Sequence, residues 1–238
     1  SGDNPSNFGS SATLNPNILN VDRLSSGEPF APVIPRTIRT SYNYILANVR
    51  QAKAAERTLP CANPLNCTLG GSAATRNLPA GVYVVNGSLN LTLSNPNNVF
   101  TQGNYVILVR DDVVINSEIH LDSDSGLVIS AGRDITVASN VGTNTYNSTT
   151  PNLEGIYSAG RNFVVAGNNN CSLGSDRKLN VLGNIIANAA LNGGQVVLQR
   201  TLCSSECAAF YVQPNLNLLL RIPGVIKVPS YIWKEVAP

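Results

Sequence analysis

The sequence predicts an all-β protein whose chain winds into a parallel β-helix, or β-solenoid. Short runs of β-branched and aliphatic residues recur from residue 80 onward, and each is bounded by Gly, Asn, Asp or Ser. No helical pattern of about 10–15 residues separates these runs, which excludes alternating strand–helix units. A segment that begins at residue 130 also recurs, in a similar form, at residue 158. These observations favour a chain that coils into stacked turns.

The internal repeat joins Ser130–Asn140 to Ser158–Asn168, which are identical at seven of eleven positions. Each copy has a Gly-Arg-Asp or Gly-Arg-Asn corner between two short strands. In a solenoid, each turn buries its inward side chains on the turns above and below it. A β-sandwich is the alternative, because it also uses many short strands. The lack of Asn-Gly hairpin turns between long alternating strands favours the solenoid.

The chain divides into four regions. Residues 1–36 form a Pro-, Ser- and Asn-rich extended arm, which either packs on its own body or a neighbouring subunit or is a poorly ordered leader. Residues 37–79 hold a helix over 37–57, capped by Thr37 or Thr40 and ended by Pro60, and then a disulfide-type loop. This helix caps or flanks one end of the solenoid.

Residues 80–202 form the solenoid body, and residues 203–238 form an apolar C-terminal tail. A last strand is expected at 210–212, and the tail caps the last turn or lies along a flank. The strands predicted in the body are 81–85, 105–109, 112–115, 126–129, 134–137, 163–165, 179–182, 184–187 and 195–198.

Five cysteines indicate disulfides rather than a metal site. Cys61 and Cys67 enclose a short loop, and Cys203 and Cys207 can close another. Cys171 is then left over, to pair with another chain or cross to another loop. Neither spacing is typical of zinc ligands, and no His lies nearby. Disulfides imply an oxidising, extracellular or cell-surface location.

The charge content excludes several classes of protein. Only 13% of the residues are charged and the net charge is +2, so no basic surface for nucleic acid or anionic lipid is indicated. The polar surface comes instead from 31 Asn, 22 Ser and 14 Thr. No apolar run approaches the ~18 residues of a membrane span. The Ser1-Gly2-Asp3 start suggests that a signal peptide or anchor has been removed.

Candidate catalytic residues are few, and we predict no catalytic site, cofactor or metal. The single His excludes a multi-His metal site. The best acidic set is Arg110-Asp111-Asp112 with Glu118, His120 and Asp122, of which the last three share one face of a strand. Solvated charges on the outer surface are the simpler interpretation. Asp122–Gly126 resembles the start of a calcium loop, but Arg133 stands where the loop needs Glu, so a polar turn is expected.

Asparagines suggest two further features. Five glycosylation triplets begin at Asn66, Asn86, Asn90, Asn147 and Asn170, about as many as the composition alone predicts by chance, and Asn86, Asn90 and Asn147 are the candidates for modification. Stacked amides at equivalent corners can also form ladders that satisfy buried turn groups. The candidates for such a ladder are Asn140, Asn168, Asn184 and Asn188.

Two resemblances follow from these segments. The repeat beginning Ser130-Ala-Gly-Arg-Asp resembles the turns of secreted haemagglutinin-type β-helix adhesins. Residues 98–238 are similar to a group of uncharacterised bacterial envelope proteins, many of which carry a pilin-like N-terminal anchor. The segments that carry this similarity are Gly103–Val109, Glu154–Ala159, Leu179–Asn188, Leu198–Leu202 and Trp233–Pro238. The resemblance implies a secreted or surface-attached β-solenoid and no particular activity.

We therefore expect a non-catalytic extracellular structural protein, a self-assembling subunit of a surface filament, sheath or layer. An adhesin or carbohydrate-binding module is the first alternative, and its exposed aromatic row would come from Tyr83, Tyr105, Tyr146 and Tyr157. A polysaccharide-active β-helix enzyme that depends on carboxylates such as Asp112 and Asp122 is the second. The expected partners are identical copies of the chain and, in the first alternative, glycans.

Overall fold

The chain folds as a parallel β-solenoid of about five turns with one short N-terminal helix. The computed structural model describes residues 40–70, 78–94, 100–101, 103–173, 176–203 and 207–221. The predicted fold class is confirmed. The β-sandwich alternative is wrong because every pairing between strands in the described residues is parallel. The predicted arm at 1–36 and most of the predicted tail lie outside the described residues.

The elements follow one another in a regular order. They are α1 (Tyr42–Gln51), β1 (Glu56–Arg57), β2 (Asn66–Gly70), β3 (Gly81–Val85), β4 (Ser88–Thr92), β5 (Asn104–Val109), β6 (Val113–Ile115), β7 (Gly126–Ala131), β8 (Ile135–Val137), β9 (Leu153–Ala159), β10 (Phe163–Val165), β11 (Leu179–Ile186), β12 (Val196–Leu198), β13 (Phe210–Gln213) and α2 (Leu216–Leu220).

Two sheets form the walls of the solenoid. Within the described residues, the odd-numbered strands make sheet A, with seven strands, and the even-numbered strands make sheet B, with six. Each strand pairs with the strand of the same sheet in the next turn. A strand with this topology needs neighbours above and below it, so the first and last strands of each sheet are edges.

The internal repeat of the sequence is one turn of the solenoid. Ser130 pairs with Ser158 in sheet A, and Ile135 pairs with Phe163 in sheet B. Other turns have different lengths: the step from Val113 to its partner Ile135 is shorter, and the step from Phe163 to its partner Val196 is longer. The repeat is visible in the sequence only where two adjacent turns have the same corners.

Apolar side chains stack in columns inside the solenoid. The inner strands of sheet B have an in–out–in pattern, so two inward positions per strand repeat from turn to turn. The Cys67 column is Cys67, Leu89, Val113, Ile135, Phe163 and Val196; the Leu69 column is Leu69, Leu91, Ile115, Val137, Val165 and Leu198.

Helix α1 packs on the outer face of sheet A rather than on an end of the solenoid. Its buried residues Tyr42, Ile45 and Val49 belong to one apolar cluster with outward-facing residues of the sheet, among them Val106 and Val128. Of the two predicted positions, capping and flanking, the structure therefore shows the flanking one.

Hydrogen bonds to sheet A also hold Thr40, two residues before the first residue of the helix. Ser130 Oγ donates to the carbonyl oxygen of Thr40 at 2.7 Å, and Ser158 Oγ bonds to Thr40 Oγ1 at 3.0 Å. The two serines are equivalent positions of the internal repeat, so successive turns of sheet A bind the same residue. Thr40 is thereby fixed on the outer face of the solenoid.

The helix is shorter than predicted at both ends. It begins after Ser41, which has extended backbone, so the predicted caps at Thr37 and Thr40 are wrong. At the other end Lys53 takes a left-handed φ of 50°, and Glu56–Arg57 then pairs with β3. Sheet pairing therefore overrides the helix propensity of this segment.

The solenoid extends beyond the predicted body at both ends. Strands β1 and β2 precede residue 80, and β13 follows residue 202 and pairs with β11, which confirms the predicted last strand. The two strands predicted within 179–187 are one strand, β11. Leu218 of α2 is buried in the same outer cluster as α1, so this part of the tail lies along a flank.

Candidate functional site

The C-terminal edge of sheet B leaves the interior of the solenoid half open. Val196 and Leu198 end the two interior columns. They are 46% and 48% exposed, although the residues of the preceding turn in the same columns are fully buried. Strand β12 pairs with β10 on one side and has no strand on its other side among the described residues. We call Gln195–Gln199 on this side the open edge.

The open edge lacks the features that usually protect edge strands. Its sequence, Gln-Val-Val-Leu-Gln, contains no charged residue and no Pro, whereas natural edge strands commonly carry Lys, Pro or a bulge. Leu191 in the preceding loop and Tyr211 of β13 are exposed as well. An unprotected, half-apolar strand at the end of a sheet is suited to pairing with a further strand.

The opposite end of sheet B is closed. Cys67 and Leu69 begin the same two columns in β2, and they are only 2% and 0% exposed. The Cys61–Cys67 disulfide, which the sequence predicted, links the loop before β2 to the strand. Leu59 and Leu78 are buried in the same core cluster.

The predicted Cys203–Cys207 disulfide is wrong. Cys203 pairs with Cys171, and Cys207 is a free thiol. The two partners are 32 residues apart, about one turn of the solenoid in this region, so stacking brings their loops together. Asp176 N donates to Thr201 O across the same two loops at 2.9 Å. Turn register, rather than proximity in sequence, selects the partner.

Arg200 fixes the loop that follows the open edge. It is a buried cation, and its guanidinium donates hydrogen bonds to four carbonyl oxygens of other loops. Those of Ala138 and Val141 are each at 2.6 Å, that of Ala166 is at 2.8 Å and that of Arg177 is at 3.1 Å. Burial lowers the pKa of Arg200 to about 10, against the opposing effect of the Asp176 carboxylate. The loop after the open edge is therefore bound to the loops that follow β8 and β10.

A second candidate site is a charged cluster of Glu118, His120 and Glu154. His120 Nε2 lies 3.1 Å from Glu118 Oε2, and its Nδ1 lies 3.7 Å from Glu154 Oε1. Glu118 Oε1 accepts from Asn152 Nδ2 at 2.9 Å, and Glu154 Oε2 accepts from the Leu121 N–H at 3.1 Å. Glu154 comes from the next turn, so nothing in the local sequence pointed to it.

The two carboxylates favour the charged form of the imidazole. The nearby Glu154 carboxylate raises the pKa of His120 most, partial burial opposes this effect, and the hydrogen bond to Glu118 raises the pKa further. The cluster thus joins two turns through an imidazole that lies between two carboxylates. Within the described part of the chain, no three His, Cys, Asp or Glu side chains are arranged to hold a metal ion.

The other residues of the predicted acidic set lie elsewhere. Asp122 is exposed, and its carbonyl accepts from Ser125 N in a turn, as expected for the segment 122–126. Arg110 forms an ion pair with Asp111 at 3.1 Å. Asp112 belongs to a corner between sheets A and B. Of the six predicted residues, only Glu118 and His120 therefore belong to the charged cluster.

The corner at Asp112 carries a ladder of side-chain oxygens. Oδ1 of Asp112 accepts from Asp134 N at 3.1 Å, Oδ1 of Asp134 from Asn162 N at 2.9 Å, and Oδ1 of Asn162 from Gln195 N at 3.1 Å. Each side chain therefore binds the backbone of the next turn. The predicted amide ladder was placed at other positions. Two of them, Asn140 and Asn168, are exposed, so the prediction of a buried ladder is wrong there.

The aromatic row of the adhesin alternative is also wrong. Tyr83, Tyr105 and Tyr157 are buried in the core, where apolar contacts hold them, so three of the four proposed rings cannot contact a glycan.

The glycosylation candidates differ in their exposure. Asn86 and Asn147 are exposed. Asn90 is half-buried, and its Oδ1 accepts from Asn116 Nδ2 and from Thr92 Oγ1. Asn86 and Asn147 are therefore the more accessible positions for a modifying enzyme.

Comparisons with known proteins identify no relative. No protein-family model matches the sequence, and no curated protein and no solved structure resembles it significantly. The class of protein is thus defined by its fold alone, as a parallel β-solenoid. Within the described residues, no helix has the length and apolar character needed to cross a lipid bilayer.

Proposed function

We propose that this chain is an extracellular structural protein, a subunit that self-assembles without catalysis into a surface filament, sheath or layer. The observation that carries the proposal is the difference between the ends of sheet B, one closed and one open. An open apolar edge that recurs once per subunit directs each copy toward the next. Contacts between unlike surfaces that do not close into a ring produce an open polymer.

Three features support an extracellular location and a structural role. The two disulfides are typical of proteins from oxidising compartments. The surface relies on uncharged polar residues, which offer little to a charged ligand. The resemblance of residues 98–238 to bacterial envelope proteins points to the same location.

Negative-stain microscopy and light scattering of the full chain test this proposal. We expect polymers from the unaltered chain, and their loss in the Val196→Lys/Leu198→Lys double variant, because two charges at the open edge repel an added strand. Leu216→Lys is the matched control, since Leu216 is 73% exposed on the flanking helix α2. An unaltered chain that stays monomeric at high concentration would contradict the proposal.

The charged cluster favours a second candidate function, that of a polysaccharide-active enzyme. Glu118 and Glu154 approach His120 from two sides, and paired carboxylates perform acid–base chemistry in glycoside cleavage. Glu118→Gln and Glu154→Gln variants are the test. Release of reducing sugar from bacterial or plant polysaccharides that both variants abolish would favour the enzyme, and no release from the unaltered chain would contradict it.

A further inference from the structure

The open edge requires a particular kind of strand to extend sheet B. Every strand of this sheet supplies an inward apolar residue, an outward residue and a second inward apolar residue. The six triplets are Cys67-Thr68-Leu69, Leu89-Asn90-Leu91, Val113-Val114-Ile115, Ile135-Thr136-Val137, Phe163-Val164-Val165 and Val196-Val197-Leu198. A seventh strand would continue the two columns with two large apolar residues on either side of a polar or β-branched one.

The N-terminal arm contains such a triplet. Leu19-Asn20-Val21 has the required alternation, and it differs from Leu89-Asn90-Leu91 in β4 only by Val for Leu at the last position. Its central residue has a backbone N–H to donate, unlike the Pro at the centre of Ala31-Pro32-Val33. The arm therefore carries, in 1–36, a triplet closely similar to one that sheet B already uses.

The arm is also long enough to reach a neighbouring copy. It precedes Thr40, which the hydroxyls of Ser130 and Ser158 hold on the outer face of sheet A. The segment from 22 to 39 separates the triplet from this point, and an extended chain of that length spans up to roughly 60 Å. Adjacent strands in a sheet are only about 4.8 Å apart, so a subunit placed beyond the open edge is within reach.

We propose that Leu19–Val21 of a second copy of this chain pairs in parallel with β12 and completes the open end of the core. In this register Leu19 extends the column that ends at Val196, and Val21 extends the column that ends at Leu198. Asn20 then lies beside Val197 on the outer surface. The inference rests on the proposed function, and it adds to it the segment and the edge through which copies join.

Cross-linking between two differently tagged chains tests the pairing directly. In a Cys207→Ser background, one chain carries Asn20→Cys and the other carries Val197→Cys, so a mixed disulfide can form only between copies. We expect a heterodimer band after mild oxidation. The matched control replaces Asn20→Cys with Ile34→Cys, which lies in the same arm outside the triplet, and there the band is expected to be lost.

A double variant, Asn20→Cys with Val197→Cys in one chain, separates pairing between copies from pairing within one. Linked oligomers support the proposal. A linked monomer means that the arm covers its own open edge, which overturns it. If the band is absent, hydrogen exchange is followed at β12 and at the other segments. Protection of β12 together with another segment, such as Ile226-Lys227-Val228, overturns the proposal, and so does a β12 that stays unprotected.

Microscopy of the Leu19→Asp/Val21→Asp variant distinguishes the inference from the proposed function. Loss of polymers, with retention in a Val33→Asp/Ile34→Asp control, supports the pairing. Polymers that persist in the triplet variant overturn the pairing and leave the proposed function standing. If the unaltered chain forms no polymer, the proposed function fails, and a mixed band in that case still supports the pairing as a contact between two copies.

Discussion

The two ends of sheet B are built from the same columns of side chains and differ in how they finish. At the N-terminal end, Cys67 and Leu69 are buried, and a disulfide joins Cys67 to the loop before β2. At the C-terminal end, Val196 and Leu198 occupy the equivalent positions and remain nearly half exposed. Stacking alone therefore does not bury the apolar side chains in the last turn of a solenoid, since residues outside the stack must cover that turn. The asymmetry also gives the molecule a direction.

Truncating the same column at its two ends should give the largest effect on folding stability. Leu69→Ala should lower the free energy of unfolding by about 3–5 kcal/mol, because it creates a cavity in a fully buried position. In the monomeric chain, Leu198→Ala should lower the free energy of unfolding by less than about half of this amount, since half of this side chain already contacts water. Urea unfolding followed by circular dichroism measures both. Equal costs would mean that the C-terminal end is as well packed as the N-terminal end.

The two disulfides should differ in their contribution to stability. Cys171 and Cys203 are separated by 32 residues and Cys61 and Cys67 by 6, and a longer loop restricts the unfolded chain more. We expect the Cys171→Ser/Cys203→Ser variant to lose about 3–4 kcal/mol and the Cys61→Ser/Cys67→Ser variant about 2 kcal/mol. Thermal unfolding under non-reducing conditions provides the measurement. The reverse order would show that covering the N-terminal end matters more than chain entropy.

Arg200 tests how firmly the open edge is held. Arg200→Lys keeps the positive charge but cannot reach four carbonyl oxygens, so buried acceptors lose their donors and we expect a loss of about 2–3 kcal/mol. Arg133→Lys is the control, because Arg133 is exposed and its ion pair with Asp112 spans 3.8 Å. Denaturant unfolding of both variants compares them. No difference between them would remove Arg200 as the anchor of the last turn.

The charged cluster should give the smallest effect, and it depends on pH. The pKa of His120 is raised in the folded chain, so its contribution is fully present below the unfolded value near 6.5 and is lost as pH rises through the folded value. We expect the unaltered chain to exceed His120→Gln in stability by up to about 1 kcal/mol at low pH, and by less above neutrality. Urea unfolding at several pH values tests this. A difference that grows with pH would contradict the assigned role.

The fold could be predicted because each turn of a solenoid has a recognisable local pattern in the sequence. Short β-branched runs and the shared Gly-Arg corner at 132–133 and 160–161 are readable without knowing which strands pair. Each predicted strand coincides with an observed one. Strands such as β2 and β4 were missed because their short Asn-, Ser- and Thr-containing sequences resemble loops, and they become strands only through pairing with each other.

The candidate sites were harder to predict because they depend on turn length. Cys171 meets Cys203, and Glu154 meets His120, only once the register between turns of unequal length is fixed. The exposure of Leu198 has the same origin, because its sequence is that of any buried strand and only its place in the last turn opens it to solvent.

Hydrogen exchange across β12 decides whether copies of the chain join at the open edge. The amides of residues 195–199 and those of β2 should be followed in dispersed chains and in assembled material. We expect assembly to slow exchange strongly at 195–199, because a new strand accepts and donates hydrogen bonds there, while β2 changes little. Exchange at 195–199 that is equally fast in both states would contradict assembly through this edge.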